Sequence, residues 1–263
     1  MEVVATTSLP ALPPLPSGLA GCWRRAYIRQ GFRAERKTDS EAASAAGVRY
    51  LQSSHPAALC VDVRVDALTG DVACTDCFAG LALWDEAAQV LAWHPVVSSG
   101  EAVSAASAGF GGADLAALFQ ARAEQLAAAL ESTGAPPVSE DRGRVEWQDA
   151  ARSAWLELDV DGGPAVLEER WERAAAASGG EGTDLALLTA RELLLVRDGH
   201  FAHVEAQEPP QPPRFRFGEA SSTADFRVLL DSLLPRVDEA AAGALLDTEL
   251  SRLAGARLRQ DRP

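Results

Sequence analysis

The sequence predicts a mainly β protein: an antiparallel, closed or nearly closed barrel with one inserted helix and a C-terminal helical arm. Three observations carry that expectation. Roughly nine or ten short segments alternate apolar and polar residues with period two, the mark of strands with one buried face. Tight-turn signals such as Asp198-Gly199 separate them. Only two segments have helical spacing, and they do not alternate with strands, which argues against a βαβ sheet.

Residues 1–17 are Pro-rich and read as an extended, disordered leader. Gly21 to Gln30 reads as the first strand, with Trp23, Arg25 and Tyr27 on one face and Arg24, Ala26 and Ile28 on the other. Arg33 to Ala46 is small and polar, a loop. Val48 to Gln52 and Leu59 to Val65 follow as strands around a His55-Pro56 turn. In the second, Leu59, Val61, Val63 and Val65 alternate with Cys60, Asp62 and Arg64. Gly80 to Trp84 and Gln89 to Val97 form a hairpin about Asp85-Glu86. Residues 98–112 read as a loop. From Asp114 to Glu131 the period changes: Leu115, Leu118, Phe119, Leu126 and Leu130 fall at helical spacing, with Arg122, Glu124 and Gln125 opposite. Thr133-Gly134 and Pro136-Pro137 end that helix. Strands resume at Arg144 to Gln148, Ala154 to Val160 and Ala165 to Arg173, the last two joined by Asp161-Gly162-Gly163. Ser178 to Gly182 is a Gly-rich loop. Leu185 to Leu188, Glu192 to Arg197 and His200 to Ala206 are three further strands. EPPQPP at 208–213 is a stiff linker and Arg214 to Phe217 a short last strand. Asp225 to Arg259 reads as helical with a break at Pro235; its leucine-rich face must bury against the sheet or a second subunit. The barrel domain thus spans 18–217, with the helical insertion at about 113–131, and the arm spans 218–263.

Composition narrows the function. The 263 residues carry 24 basic and 38 acidic side chains, a net charge of −14. A field of that sign disfavours nucleic acid and anionic membrane as partners. No apolar run is long enough for a membrane-spanning helix, and no basic n-region marks a secretory signal, so a cytoplasmic location is expected. Lys37 is the only lysine and sits in a polar run, where a low-pKa amine for covalent chemistry is not expected. The chain has no Asn, which excludes N-linked glycosylation.

Several segments occur in a recognisable order: Gly21-Cys22-Trp23, then Tyr50 to Gln52, Val61 to Val65, Phe78 to Gly80, Trp93-His94, Glu168 to Trp171 and Asp198 to Phe201. The opening G-x-W resembles that of lipocalins and other calycins. The whole series is similar to a group of uncharacterised bacterial and algal proteins associated with a calycin-like barrel, over residues 18 to 206. The resemblance implies a fold rather than an activity. It also implies that the opening Trp packs across the closed end of the barrel, with an arginine against it. The chain departs from the group where Pro95-Val96-Val97, rather than charged residues, follow Trp93-His94. The two helical segments are additions.

The candidate chemistry lies on strands. If the Trp23 face is the lumen, Arg25 and Glu169 point inward together, because a charge on a buried face needs a partner. The pair reads either as the polar spot of a ligand pocket or as a structural bridge. Arg24, Asp62, Arg64, Glu168 and Arg170 then form an outer, solvated ladder. Trp23, Trp93, Trp155 and Trp171 lie in strands and read as core, or for one or two of them as aromatic walls of a ligand site. His94 precedes a proline, which places it at a strand end near the rim. His200 and His203, three apart on a strand, point to opposite faces, so one of them can face a cavity. Cys74 and Cys77 form a CxxC without the strand-to-helix context of a redox motif or a second pair for zinc. Asp159-Val160-Asp161-Gly162 lacks the closing Glu of a calcium loop. No metal or cofactor is expected.

The sequence therefore points first to binding of a small hydrophobic or amphipathic molecule in the lumen. Trp23, Arg25, Tyr27, Trp93, His94, Glu169, Trp171 and His203 are the candidate contacts. The alternative is a cofactor-independent isomerase or lyase with His94, His203 or Arg25 as the catalytic group. A third reading is a scaffold or subunit protein that forms a homo-oligomer through the C-terminal helix.

Overall fold

The computed structural model describes residues 9–31, 48–53, 58–64, 77–99, 114–139, 141–160, 166–175, 184–207, 211–222 and 225–231. Eight strands close into an antiparallel barrel in sequence order: β1 (Gly21–Gly31), β2 (Val48–Gln52), β3 (Leu59–Arg64), β4 (Phe78–Asp85), β5 (Val90–Ser98), β6 (Asp141–Trp147), β7 (Ala154–Asp159) and β8 (Val166–Arg173). β8 returns to β1, with Arg25 opposite Trp171. Helix α1 (Leu115–Thr133) is inserted between β5 and β6. Asp114 caps its start by accepting from the Ala117 amide at 3.1 Å, and Gly134 ends it at φ 69°. The sequence places the stop at Thr133-Gly134, and Asp114, read there as the first helical residue, is the cap.

The remaining strands do not join the barrel. β9 (Asp184–Leu188), β10 (Glu192–Arg197), β11 (His200–Glu205), β12 (Arg214–Ser222) and β13 (Asp225–Asp231) form a second sheet in the order β13-β12-β11-β10-β9. Asp198 and Gly199, at φ 51° and 75°, make the expected two-residue hairpin turn. Two expectations change here. β12 continues past Phe217 to Ser222, and residues 225–231, expected as the start of a helix, are a strand. Phe226 and Val228 alternate with Arg227, and both apolar residues are buried. Residues 232–263, with the rest of the expected helical arm, lie outside the described residues. So do Arg33 to Ala46, His55-Pro56, Val65, Cys74, residues 100–112, the Asp161-Gly162-Gly163 turn, Ser178 to Gly182 and 208–210.

The second sheet explains which barrel face the apolar alternation serves. Leu59, Val61, Val63, Leu81 and Leu83 lie on the outside of the barrel, in one cluster with Leu193, Leu195, Val204, Phe215 and Phe217 of the second sheet and Leu115, Phe119 and Leu126 of α1. The aliphatic face is buried by another layer, and the opposite face, with Cys60, Asp62 and Arg64, turns inward. The leader from Leu9 on is also packed rather than loose. Leu9 and Leu12 join the outer cluster, and Leu19 reaches the barrel interior, because its leucines recur between prolines that hold the chain extended.

Candidate functional site

The interior is aromatic. Trp23, Tyr50, Phe78, Trp84, Trp93, Trp155 and Trp171 form one buried cluster. Trp155 stacks on Trp171 with centroids 5.7 Å apart and planes 14° apart, and Trp23 meets Trp155 edge-on at 5.9 Å. At the closed end the Trp23 indole N–H donates to the Leu19 carbonyl oxygen at 2.9 Å. The Arg173 guanidinium lies 4.4 Å over the Trp23 ring. The arginine against the opening tryptophan is therefore Arg173, which reading the first strand alone did not single out. The expected hollow behind Trp23 is filled by these rings.

Seven polar side chains face inward above this aromatic floor. Arg25 Nη1 donates to Glu169 Oε1 at 3.0 Å, and both residues are buried; the expected pair forms. Arg64 Nη2 donates to Asp62 Oδ2 at 2.7 Å. Tyr50 donates its hydroxyl to Gln52 Oε1, and Gln52 Nε2 donates to the Leu59 carbonyl oxygen at 3.0 Å. Trp171 Nε1 donates to Glu157 Oε2 at 3.0 Å. Asp141, at the start of β6, lines the same recess. Gly143 makes room for the Glu157 side chain: a Cβ there would lie 2.2 Å from Glu157 Cγ.

A recess of about 250 Å³, solvent at its mouth included, is lined by Tyr50, Asp62, Arg64, Phe78, Trp93, Asp141, Trp155, Glu157 and Trp171. Its free volume is about 10 Å³, the amount one ordered water needs. Three buried polar atoms of its walls lack a well-formed hydrogen bond: Asp62 Oδ1, Trp155 Nε1 and Trp93 Nε1, the last set beside the Tyr50 hydroxyl. Burial pushes the Asp141 carboxyl up to about 6. Burial, then the nearby Glu169 and Asp141, holds the Glu157 carboxyl well above the usual carboxylate range. Glu169 is raised by burial against the lowering pull of Arg25.

Five of the expected contact residues meet in this interior: Trp23, Arg25, Trp93, Glu169 and Trp171. Three do not. A β-bulge at Ala26 shifts the register between Arg25 and Tyr27, so Tyr27 turns outward and its hydroxyl donates to Glu168 at 2.8 Å. His94 is in the middle of β5, not at the rim. Pro95 is tolerated because β6 pairs with β5 only from Val90 to Trp93, so its missing amide interrupts no ladder bond there. The His94 ring points away from the lumen, under α1, where Arg122 Nη2 donates to Nδ1 at 3.3 Å. Burial and the Arg122 charge lower its pKa to about 4. His203 belongs to the second sheet, where Arg216 Nη1 donates to its Nδ1 at 3.1 Å. His200 stacks on Phe217 in the same sheet. The His-based isomerase or lyase needed a ring within reach of the lumen, and neither His94 nor His203 is there.

The outer ladder is corrected too. Arg24, Glu168 and Arg170 are outside, with Arg24 on Glu172 at 2.8 Å, but Asp62 and Arg64 are inside. The period-two pattern of β3 marks both faces; it does not say which one a second layer covers. Asp62, Arg64, Asp141, Glu157 and Tyr50 are therefore missed as a set, although charged residues alternating with valines in Leu59–Arg64 are a signal for an inward polar face. Among the described residues no cluster of His, Cys, Asp and Glu is placed to hold a metal, and no helix is long and apolar enough to cross a membrane. Comparison with protein-family models, curated proteins and solved structures finds no match to the chain.

Proposed function

We propose that the barrel binds a compact amphipathic molecule whose polar end enters the recess between Asp62, Trp93 and Trp155. The observation that carries this reading is the trio of buried polar atoms without well-formed hydrogen bonds. Leaving a buried donor or acceptor unmet costs about 1–3 kcal/mol, and two donors and one acceptor lining one recess from β3, β5 and β7 suit a ligand group that both donates and accepts. Trp93 and Trp171, both expected as contacts, supply aromatic walls. Arg25 and Glu169 pair beside the site at 3.0 Å and act by holding β1 to β8. The small free volume favours a compact head group over a long apolar chain lying in the lumen.

The eight-strand antiparallel closure and the arginine on the opening tryptophan support a calycin-like reading of the barrel. Native mass spectrometry of purified protein, with tryptophan fluorescence titration against small amphipathic compounds, tests the proposal. Saturable binding that weakens in Asp62→Asn is the expected result. Unchanged spectra across such a series would reject it.

A further inference from the structure

We propose that the polar end of the ligand carries a positive charge beside a hydrogen-bond acceptor, so that the recess takes a compact organic ammonium whose neighbouring oxygen accepts from the Trp93 and Trp155 indole N–H groups. This rests on the binding reading above and adds the chemical class. The titratable groups facing the site come from six of the eight barrel strands: Arg25 on β1, Tyr50 on β2, Cys60, Asp62 and Arg64 on β3, Asp141 on β6, Glu157 on β7 and Glu169 on β8. Arg25 is engaged by Glu169 at 3.0 Å and Arg64 by Asp62 at 2.7 Å. Asp141 and Glu157 then remain as carboxyls with no ion-pair partner among the described residues, and Asp62 Oδ1 is an unmet acceptor on a residue only 2% exposed. The rest of the wall is Tyr50, Phe78, Trp93, Trp155 and Trp171. Aromatic faces with surplus carboxylates are the surroundings that stabilise an ammonium, by ring quadrupole and by charge together. An anion would meet two surplus acids instead.

The raised carboxyls fit the same reading. With no cation present, burial keeps protons on Asp141 and Glu157. An entering ammonium replaces that proton charge, so a proton leaves as the cation binds.

Isothermal titration calorimetry of the full chain tests this, with 2-phenylethylammonium and protonated 2-amino-1-phenylethanol as cations, 2-phenylethanol as the neutral match and phenylacetate as the anionic one. The expected result is binding of a cation at least about tenfold tighter than the alcohol or the acid. Its affinity rises with pH, by up to about tenfold per unit below the Asp141 pKa, with proton release that depends on buffer. Glu157→Gln and Asp141→Asn lose the preference for charge while their melting curves stay cooperative. If either variant fails to fold, the pH profile of the unaltered chain decides. Equal or tighter binding of the alcohol or phenylacetate, or a cation affinity flat with pH, overturns the ammonium assignment and leaves small-molecule binding standing. Binding of none of the four overturns both.

Discussion

Arg173 sits with its guanidinium carbon 4.4 Å from the centroid of the Trp23 ring and donates to the main-chain oxygens of Ala20 at 3.1 Å and Gly18 at 2.6 Å. One planar side chain thus ties the end of β8 to the ring and the chain that open β1. A lysine keeps the charge but loses the fork and the stacked plane. Arg173→Lys is expected to cost about 1–2 kcal/mol and Arg173→Ala about 2–4 kcal/mol, from the lost charged hydrogen bonds and ring contact. Urea unfolding measures both. A lysine variant as stable as the parent would show that the fork contributes nothing.

The Arg25–Glu169 pair holds β1 to β8 from inside. Removing one partner strands a buried charge, and Glu169→Leu alone is expected to cost about 3–5 kcal/mol. Arg25→Met together with Glu169→Leu is expected to recover most of that loss, because neither charge is then buried. A double variant that loses the sum of the two single losses, measured by denaturant midpoint, would contradict this account.

Gly143 and Glu157 are coupled by space. Gly143→Ala places a methyl against Glu157 Cγ and is expected to cost about 1–3 kcal/mol by overpacking. In a Glu157→Ala background the same change is expected to cost little. Additive losses in this cycle would mean that the glycine serves something other than the glutamate.

Two groups give stability opposite pH slopes. The Asp141 carboxyl rises from 3.8 to about 6 on folding, so the folded chain binds more protons than the unfolded one between those values. Its contribution is present at low pH and is lost as pH rises through about 6. The His94 ring falls from 6.5 to about 4, so its contribution grows as pH rises from about 4 to 6.5 and is lost as pH falls. Urea unfolding from pH 4 to pH 7 is expected to show a steeper rise of stability with pH in Asp141→Asn. In His94→Gln it is expected to show a fall relative to the parent. Parallel profiles in all three chains would refute both assignments.

The strands were legible because each carries its own alternation. Leu59, Val61 and Val63 announce a buried face whatever covers it. What they do not announce is the cover itself: the second sheet and α1 bury the outside, and that choice alone sends Asp62 and Arg64 inward. Tyr27 is misplaced for a comparably local reason, since one extra residue at Ala26 turns it to the opposite face. At Asp225 to Asp231, adjacent leucines before Pro235 imitate a helix, and pairing with β12 overrides that tendency. Arg25 with Glu169 was found because a buried charge requires a partner; Asp141 and Glu157 lack one, so no pairing argument led to them.

The binding site is tested most directly by the indole N–H signals in a ¹H–¹⁵N spectrum. The six tryptophans give six indole signals. Adding a compact amphipathic ligand is predicted to shift the Trp93 and Trp155 indole signals, whose N–H groups make no well-formed hydrogen bond in the recess. The Trp23 signal, bonded to the Leu19 oxygen, is predicted to stay in place. If ligands bind and those two signals do not move, or only Trp23 responds, the site is not in this recess and the account is contradicted.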